Sequence, residues 1–218
     1  MTTPLSQMPK PEAGQYAGRR KLFLVPIFLF PPDMPNDATR LLERYWSEVR
    51  DHIQNLERSL GSVMHVFHET IYAGDDEGMA MVEAMNPFGG AFIQALRSGG
   101  ASLEATEDRA VVEEHSDWQR CLSIGLMSEK VMNLAIAGIQ ETTQQRFDHI
   151  AERISETLTN TRNGALFISE GHRVQFPADI QVFFVAPPAL DALKRWIDSQ
   201  MRSAAQAQSN EPSDGARQ

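Results

Sequence analysis

Residues 22–30 read LFLVPIFLF, and this run decides the fold because nine consecutive apolar residues have to be buried. The run shows no polar alternation, which is typical of a strand covered on both faces. Pro26 has no backbone N–H and favours an edge strand or a bulge, so the position of this strand in its sheet stays open. The run predicts a buried β-strand.

The residues just before this run, Arg-Arg-Lys at 19–21, resemble a twin-arginine export signal. The apolar run behind them is short, contains Pro26 and closes with two prolines, and no small-residue cleavage site follows, so a strand explains it better. No apolar run approaches the roughly 18–20 residues of a membrane span. Cys121 is the only cysteine, which fits a reducing compartment. We therefore predict a soluble, cytoplasmic protein that does not bind a membrane.

A helix and a second strand follow the apolar run. Six apolar residues recur at steps of three and four and form one face of the predicted helix, at Leu42, Trp46, Val49, Ile53, Leu56 and Leu60. Gly61 ends the helix, and residues 63–73 are rich in β-branched and aromatic side chains, as in a strand. The order strand, helix, strand predicts a βαβ unit.

The rest of the chain alternates in the same way around a helical segment. Residues 74–78 are predicted as a loop, and residues 79–96 as two short helices divided near Asn86. Residues 109–158 lack proline and predict two or three long helices, with possible kinks at two glycines. Residues 103–106 could form a short strand or an extended connection, and residues 165–168 and 180–185 are predicted as strands. The predicted fold class is α/β, with a small mixed sheet of about four strands, a βαβ unit and a large inserted helical block.

Domain organisation and charge limit the classes of function. Residues 1–18 and 203–218 are polar or proline-rich and are predicted to be disordered tails, which leaves residues 19–202 as a single domain. The chain has 20 Lys and Arg against 29 Asp and Glu, for a net charge of −9. A duplex-binding protein presents a basic surface to the phosphates, so no nucleic-acid partner is expected.

The candidate catalytic residues follow predicted strands. Ser169-Glu170-Gly171-His172 comes directly after the strand at residues 165–168, and Glu69 lies in the second strand. Ligands of open α/β sheets bind beyond the carboxyl ends of the strands, and an imidazole beside a carboxylate can act as a general base. Glu170, His172 and Glu69 are therefore the catalytic candidates, and the alternative is that Glu170 and His172 belong to an ordinary polar loop.

Two further residues are candidate metal ligands. His65-Val66-Phe67-His68-Glu69 has the wrong spacing for a helical zinc motif. His65 and Glu69 point to one face of the strand, with Cα atoms roughly 13 Å apart, and His68 points to the other. Asp75 lies in an acidic loop that could bind a hard cation. His68 and Asp75 are the candidate metal ligands, although a hydrogen-bonded strand histidine and a solvated acidic turn are the simpler explanations. No cofactor can be named.

Two functions from different classes remain open. A non-catalytic interaction or assembly protein is slightly favoured, with a second copy or a protein partner bound through helical apolar faces. The alternative is a small hydrolase or metal-assisted enzyme with its site at the carboxyl ends of the strands. The first requires exposed apolar surface within residues 42–60 or 109–158. The second requires the catalytic candidates to converge. His115, beside Glu113 and Glu114, is predicted to lie on a charged helix face.

Overall fold

A computed structural model describes residue 16 and residues 18–30, 34–159 and 162–209 of the chain. These residues form five strands and six helices. The strands are β1 (Arg20–Ile27), β2 (Val63–His68), β3 (Ser102–Leu103), β4 (Asn163–Ser169) and β5 (Ile180–Phe184). The helices are α1 (Asn36–Leu60), α2 (Asp75–Met85), α3 (Pro87–Ser98), α4 (Arg109–Ser123), α5 (Glu129–Thr157) and α6 (Pro188–Ser209).

The described strands form one parallel sheet in the order β3-β2-β4-β1-β5. The α/β class is confirmed, as are the βαβ unit, which is β1–α1–β2, and the helical block, which is α4 and α5 between β3 and β4. The sheet has one strand more than the sequence predicted. That strand, β3, is only two residues long, which is too short for a period-two pattern to reveal it.

The apolar run near the start of the chain forms β1, which is paired on both sides. Pro26 fits this position because the pairing of β1 with β5 ends at Leu24 and Phe184, two residues before the proline. Its missing N–H therefore costs no ladder hydrogen bond on that side. The carbonyl oxygen of Pro26 accepts a hydrogen bond from the buried Tyr45 hydroxyl at 2.5 Å. The chain leaves the strand after Ile27, so residues 28–30 lie beyond its carboxyl end.

Helices cover both faces of the sheet. Alternate β1 residues such as Phe23 and Val25 pack with β4 and with helices α1, α2, α3 and α6. The intervening residues, Leu22 and Leu24, pack instead on Phe147, Ile150 and Ile154 of α5. The absence of polar alternation in β1 follows from this double coverage.

Several element boundaries differ from the sequence prediction. The acidic segment at 74–78 is the first turn of α2 rather than a loop, because three carboxylates favour a helix N-terminus. The two short helices are confirmed, and the Asn86 side chain caps the second by accepting from Gly89 N at 3.0 Å. Gly125 separates α4 from α5 in a positive-φ conformation (φ 73°). Gly138 lies within α5, where a Cβ would be 2.4 Å from the Trp118 ring.

The domain boundaries stay predictions. Helix α6 continues to Ser209, past the predicted boundary at residue 202. Residues 1–15 and 210–218 of the two predicted tails lie outside the described part of the chain. Within the described residues, none of the helices combines the length and the apolar character that crossing a bilayer requires.

Helices α4 and α5 form a hairpin that extends beyond the sheet. Arg146 of α5 lies at the carboxyl edge, and the carbonyl of Ser155 accepts from Arg20 at the start of β1. The intervening part of α5 therefore crosses the sheet, and residues 129–145 continue past its carboxyl edge for about 25 Å. Helix α4 packs along this extension, where His115 and Thr142 join the two helices through a 2.9 Å hydrogen bond. We call α4 together with residues 124–145 the helical hairpin.

Candidate functional site

The carboxyl edge of the sheet has a topological switch point between β1 and β4. The chain passes from β1 across β4 to β2, and from β4 across β1 to β5, so the two connections leave neighbouring strands in opposite directions. Ligands of open α/β sheets bind in the crevice outside such a point. Glu69 and His172 follow strands that end at this edge, and Ser169 is the last residue of β4.

Glu69 is fixed by two hydrogen bonds at this edge. Its Oε2 accepts from the backbone N–H of Ser169 at 2.7 Å, and its Oε1 accepts from Arg146 Nη2 at 3.4 Å. The side chains of Glu69 and Arg146 keep 12% and 10% of their surface exposed. The carboxylate is therefore oriented by the protein, and its side chain is largely buried with a small exposed fraction.

Glu107 holds the Arg146 side chain in place. Its carboxylate accepts from Arg146 Nε at 2.5 Å and from Nη2 at 2.8 Å, which is the bidentate geometry that guanidinium and carboxylate groups favour. Thr70 N also donates to Glu107 at 2.5 Å. The Glu107 side chain is 0% exposed, so it positions Arg146 and does not meet solvent.

Thr70 has a strained backbone directly after Glu69. Its φ is 76°, a left-handed conformation that is uncommon for a β-branched residue. This conformation places the Thr70 N–H on Glu107 while the preceding residue reaches Arg146. Strain of this kind concentrates at functional sites.

His172 lies at the same edge and is half-buried. Burial lowers its pKa, and the negative charge of Glu69 partly opposes this effect. The imidazole is therefore neutral at pH 7. Val174 N donates to its Nδ1 at 3.3 Å, so the ring proton lies on Nε2. Neutral His172 thus offers an N–H donor close to a carboxylate.

His115 approaches the site from the helical hairpin. Thr142 Oγ1 donates to Gly138 O at 2.7 Å and so accepts from His115 Nδ1, which leaves His115 Nε2 as a free lone pair. Burial and the charge of Arg146 lower the pKa of His115, while Glu107 and Glu69 raise it. His115 is therefore buried near the site, whereas the sequence predicted a charged helix face.

His68 is fully buried on the opposite side of the strand from Glu69. Its Nδ1 donates to the Glu69 carbonyl at 2.6 Å, and its Nε2 accepts from Asn86 Nδ2 at 3.4 Å. The ring stacks on Phe167 with centroids 6.3 Å apart. Burial lowers its pKa to about 4, so the ring is neutral and holds the end of β2 in place.

The structure does not bring the two predicted metal ligands together. Both ring nitrogens of His68 are engaged, and Asp75 is exposed in the first turn of α2. Within the described ranges, no three His, Cys, Asp or Glu side chains are grouped so that they could hold a metal ion. The metal prediction therefore gains no geometric support.

Glu170 faces a different neighbour from Glu69. Its carboxylate pairs with Lys194 of α6, and both side chains are more than a third exposed. Its charge adds to the effect of burial in raising the pKa of Tyr45. Of the three catalytic candidates, Glu69 and His172 share the site, and Glu170 is excluded from it by its orientation toward α6.

A second polar cluster lies beside β3 and lacks the geometry of a catalytic triad. His65 Nδ1 lies 2.8 Å from Glu104 and 3.2 Å from Ser102, so the acid and the hydroxyl share one ring nitrogen. A triad needs them on opposite nitrogens. This cluster therefore ties the edge strand to β2.

Sequence reasoning missed Glu107 and Arg146, and it placed His115 on a charged helix face instead of at the site. Arg146 carried a recognisable signal, because it lies four and eight residues before Ile150 and Ile154 and so continues the apolar face of α5. A charged residue in line with such a face needs a buried partner. Comparison with protein-family models, curated proteins and solved structures finds no match to this chain.

Proposed function

We propose that this chain is a small hydrolase whose site lies at the carboxyl edge, and that its substrate carries an ester group. One observation carries the proposal: the Glu69 carboxylate is oriented by Arg146 and Ser169 N at the carboxyl edge, its side chain keeps 12% of its surface exposed, and it interacts electrostatically with neutral His172. A buried charged network can also be purely structural. The exposure of Glu69, the switch point and the strain at Thr70 favour catalysis.

Glu69 is the proposed general base. Its carboxylate takes a proton from a water molecule, and the resulting hydroxide attacks the carbonyl carbon of the substrate. The hydrogen bonds from Arg146 and Ser169 N hold the carboxylate in one orientation, which reduces the entropy that the step would otherwise lose.

His172 is the proposed electrophile. Its Nε2–H donates to the carbonyl oxygen, where negative charge develops during the attack. A neutral imidazole suits this role because its donor is fixed by the Val174 hydrogen bond on the other ring nitrogen. When the carbon–oxygen bond breaks, the proton held by Glu69 passes to the leaving alkoxide.

Arg146 and Glu107 are positioning residues in this scheme. The bidentate pair keeps the guanidinium beside Glu69, and Glu107 has no exposed surface through which to touch a substrate. His115 lies near the same charges and is held by its hydrogen bond with Thr142, and it takes no proton in this scheme.

A panel of chromogenic substrates tests the reaction class. We expect the full chain to hydrolyse p-nitrophenyl acetate faster than a p-nitroanilide or p-nitrophenyl phosphate. The background is the same preparation carrying Glu69→Gln. If none of the three substrates is cleaved faster than by this variant, the proposed reaction is wrong.

Self-association through the helical hairpin is a second candidate function, because the hairpin exposes a cluster of large apolar side chains. The exposed residues are Ile124 (75%), Met127 (100%), Val131 (46%), Met132 (39%) and Leu134 (63%). The cluster contains one Glu and one Lys, at 129 and 130, so it carries no net charge that would repel a second copy. Exposed apolar runs of this kind are unusual unless they bind something. We propose that a second copy of the chain covers them.

A further inference from the structure

An apolar cavity lies on the other side of the strand end from Glu69. It has a volume of about 390 Å³ and lies between Phe28, Phe30 and Met34, helix α1 and the corner where α2 meets α3. Its apolar wall consists of Phe28, Phe30, Met34, Leu42, Met85 and Phe88. Small-molecule sites fall in this range of volume and are lined in the same way.

Asn86 supplies a polar group to this apolar wall. The residue is 3% exposed and lines the cavity. Its Oδ1 accepts from Gly89 N, and one Nδ2 hydrogen is directed to His68 Nε2. An amide nitrogen carries two hydrogens, and the second finds no partner among the residues that the structure describes. A ligand that supplies an acceptor would use this second hydrogen while His68 keeps the first.

The orientation of this donor is fixed from two sides. The Gly89 hydrogen bond holds the amide oxygen at the start of α3, and His68 is held by Glu69 O and by stacking on Phe167. The site is therefore built before a ligand arrives, with apolar walls and one oriented N–H donor. Such preorganisation gives a small ligand most of its specificity.

We propose that this cavity binds a small, mainly apolar molecule that carries a carbonyl oxygen, with the carbonyl accepting from Asn86 Nδ2. The volume holds roughly a dozen non-hydrogen atoms at the ~30 Å³ that a water molecule occupies in the liquid. An aryl ketone of that size fills the apolar part and reaches the donor. The proposal does not depend on hydrolysis at Glu69, because neither the cavity nor Asn86 belongs to that site.

Binding of propiophenone tests the proposal. Ligand-observed NMR titration of the full chain should give saturable binding, and Ala84→Trp should weaken it at least tenfold, because Ala84 is exposed and lines the cavity. The matched control is Ala80→Trp, one helical turn away on α2 and also exposed, which should bind as the unchanged chain does. Equal binding by all three proteins, or no binding up to the solubility limit, overturns the proposal.

A spectroscopic measurement tests the hydrogen bond separately. The carbonyl stretching band of bound propiophenone, isotopically labelled at the carbonyl carbon, should lie at lower frequency than in cyclohexane, as it does when the oxygen accepts a hydrogen bond. A band at the cyclohexane position shows that Asn86 does not donate and overturns the assigned ligand class. This measurement uses the unchanged chain, so it stands whatever the stability of the Ala84 variant.

Discussion

The Arg146 guanidinium donates to both oxygens of the Glu107 carboxylate, through Nε at 2.5 Å and Nη2 at 2.8 Å. The pair joins α5 to the segment after β3, across 39 residues of sequence. Glu107 is closed off from solvent and Arg146 nearly so. The pair therefore anchors the base of the helical hairpin to the sheet edge, and it also orients Glu69.

Removing Arg146 should be strongly destabilising. Arg146→Met leaves the Glu107 carboxylate buried without its partner, which typically costs about 3–5 kcal/mol of unfolding free energy. The control is Arg109→Met, whose Glu113 pair is exposed at 68% and 57% and should cost less than about 1 kcal/mol. Urea unfolding at pH 7 measures both. Equal small losses would mean that the pair does not anchor the hairpin.

His68 should make the stability of the protein depend on pH. Its pKa in the folded state is about 4, below the value of 6.5 that applies when it is unfolded, so the unfolded chain binds the proton more readily. The stabilisation is complete above pH 6.5 and is lost as the pH falls toward 4. The loss amounts to about 3 kcal/mol.

The comparison variant for this effect is His68→Gln, which cannot titrate. Urea unfolding at pH 7 and pH 4.5 should show a larger loss for the unchanged chain than for the variant, because the carboxylates titrate in both. Identical losses would show that His68 is not buried in its neutral form.

Self-association should depend on the exposed tip of the helical hairpin. Light scattering after gel filtration should give a dimer for the unchanged chain and a monomer for Met127→Glu with Leu134→Glu, because the charges would have to be desolvated at the interface. Met201→Glu, on α6, is the control, since Met201 is 67% exposed outside the hairpin and should leave the dimer intact. A monomeric unchanged chain at high micromolar concentration would remove this candidate.

The fold class could be predicted because its main helices and strands carry hydrophobic patterns that extend over many consecutive residues. The apolar stripe of α1 reflects burial on one face, and the uninterrupted apolar run of β1 reflects burial on two faces, so both can be recognised in the sequence. The strand order cannot be predicted in this way, because it depends on which strands pair across more than a hundred residues, as Val25 and Phe167 do. The region of β3 stayed open between a short strand and an extended connection, because two residues carry no pattern.

Only part of the candidate site could be predicted from the sequence, because the rest depends on contacts between residues that are distant in the chain. Glu69 and His172 could be named because each follows a strand, and strand ends are recognisable. Glu107 and Arg146 depend on the packing of α5 against the sheet, which sequence spacing does not determine. Glu170 and His172 are two residues apart, yet the first pairs with Lys194 while the second lies within electrostatic reach of Glu69, and only the turn geometry separates them.

The most direct test of the hydrolase is to compare two glutamates changed in the same way. Glu69→Gln should lower kcat/KM for p-nitrophenyl acetate at least a hundredfold, as expected for loss of a general base. Glu170→Gln, whose carboxylate pairs with Lys194 at the surface, should retain most of the activity. Both proteins should keep the circular dichroism spectrum of the unchanged chain. Full activity in Glu69→Gln, or an equal loss in both variants, would contradict the assignment of Glu69 as the base.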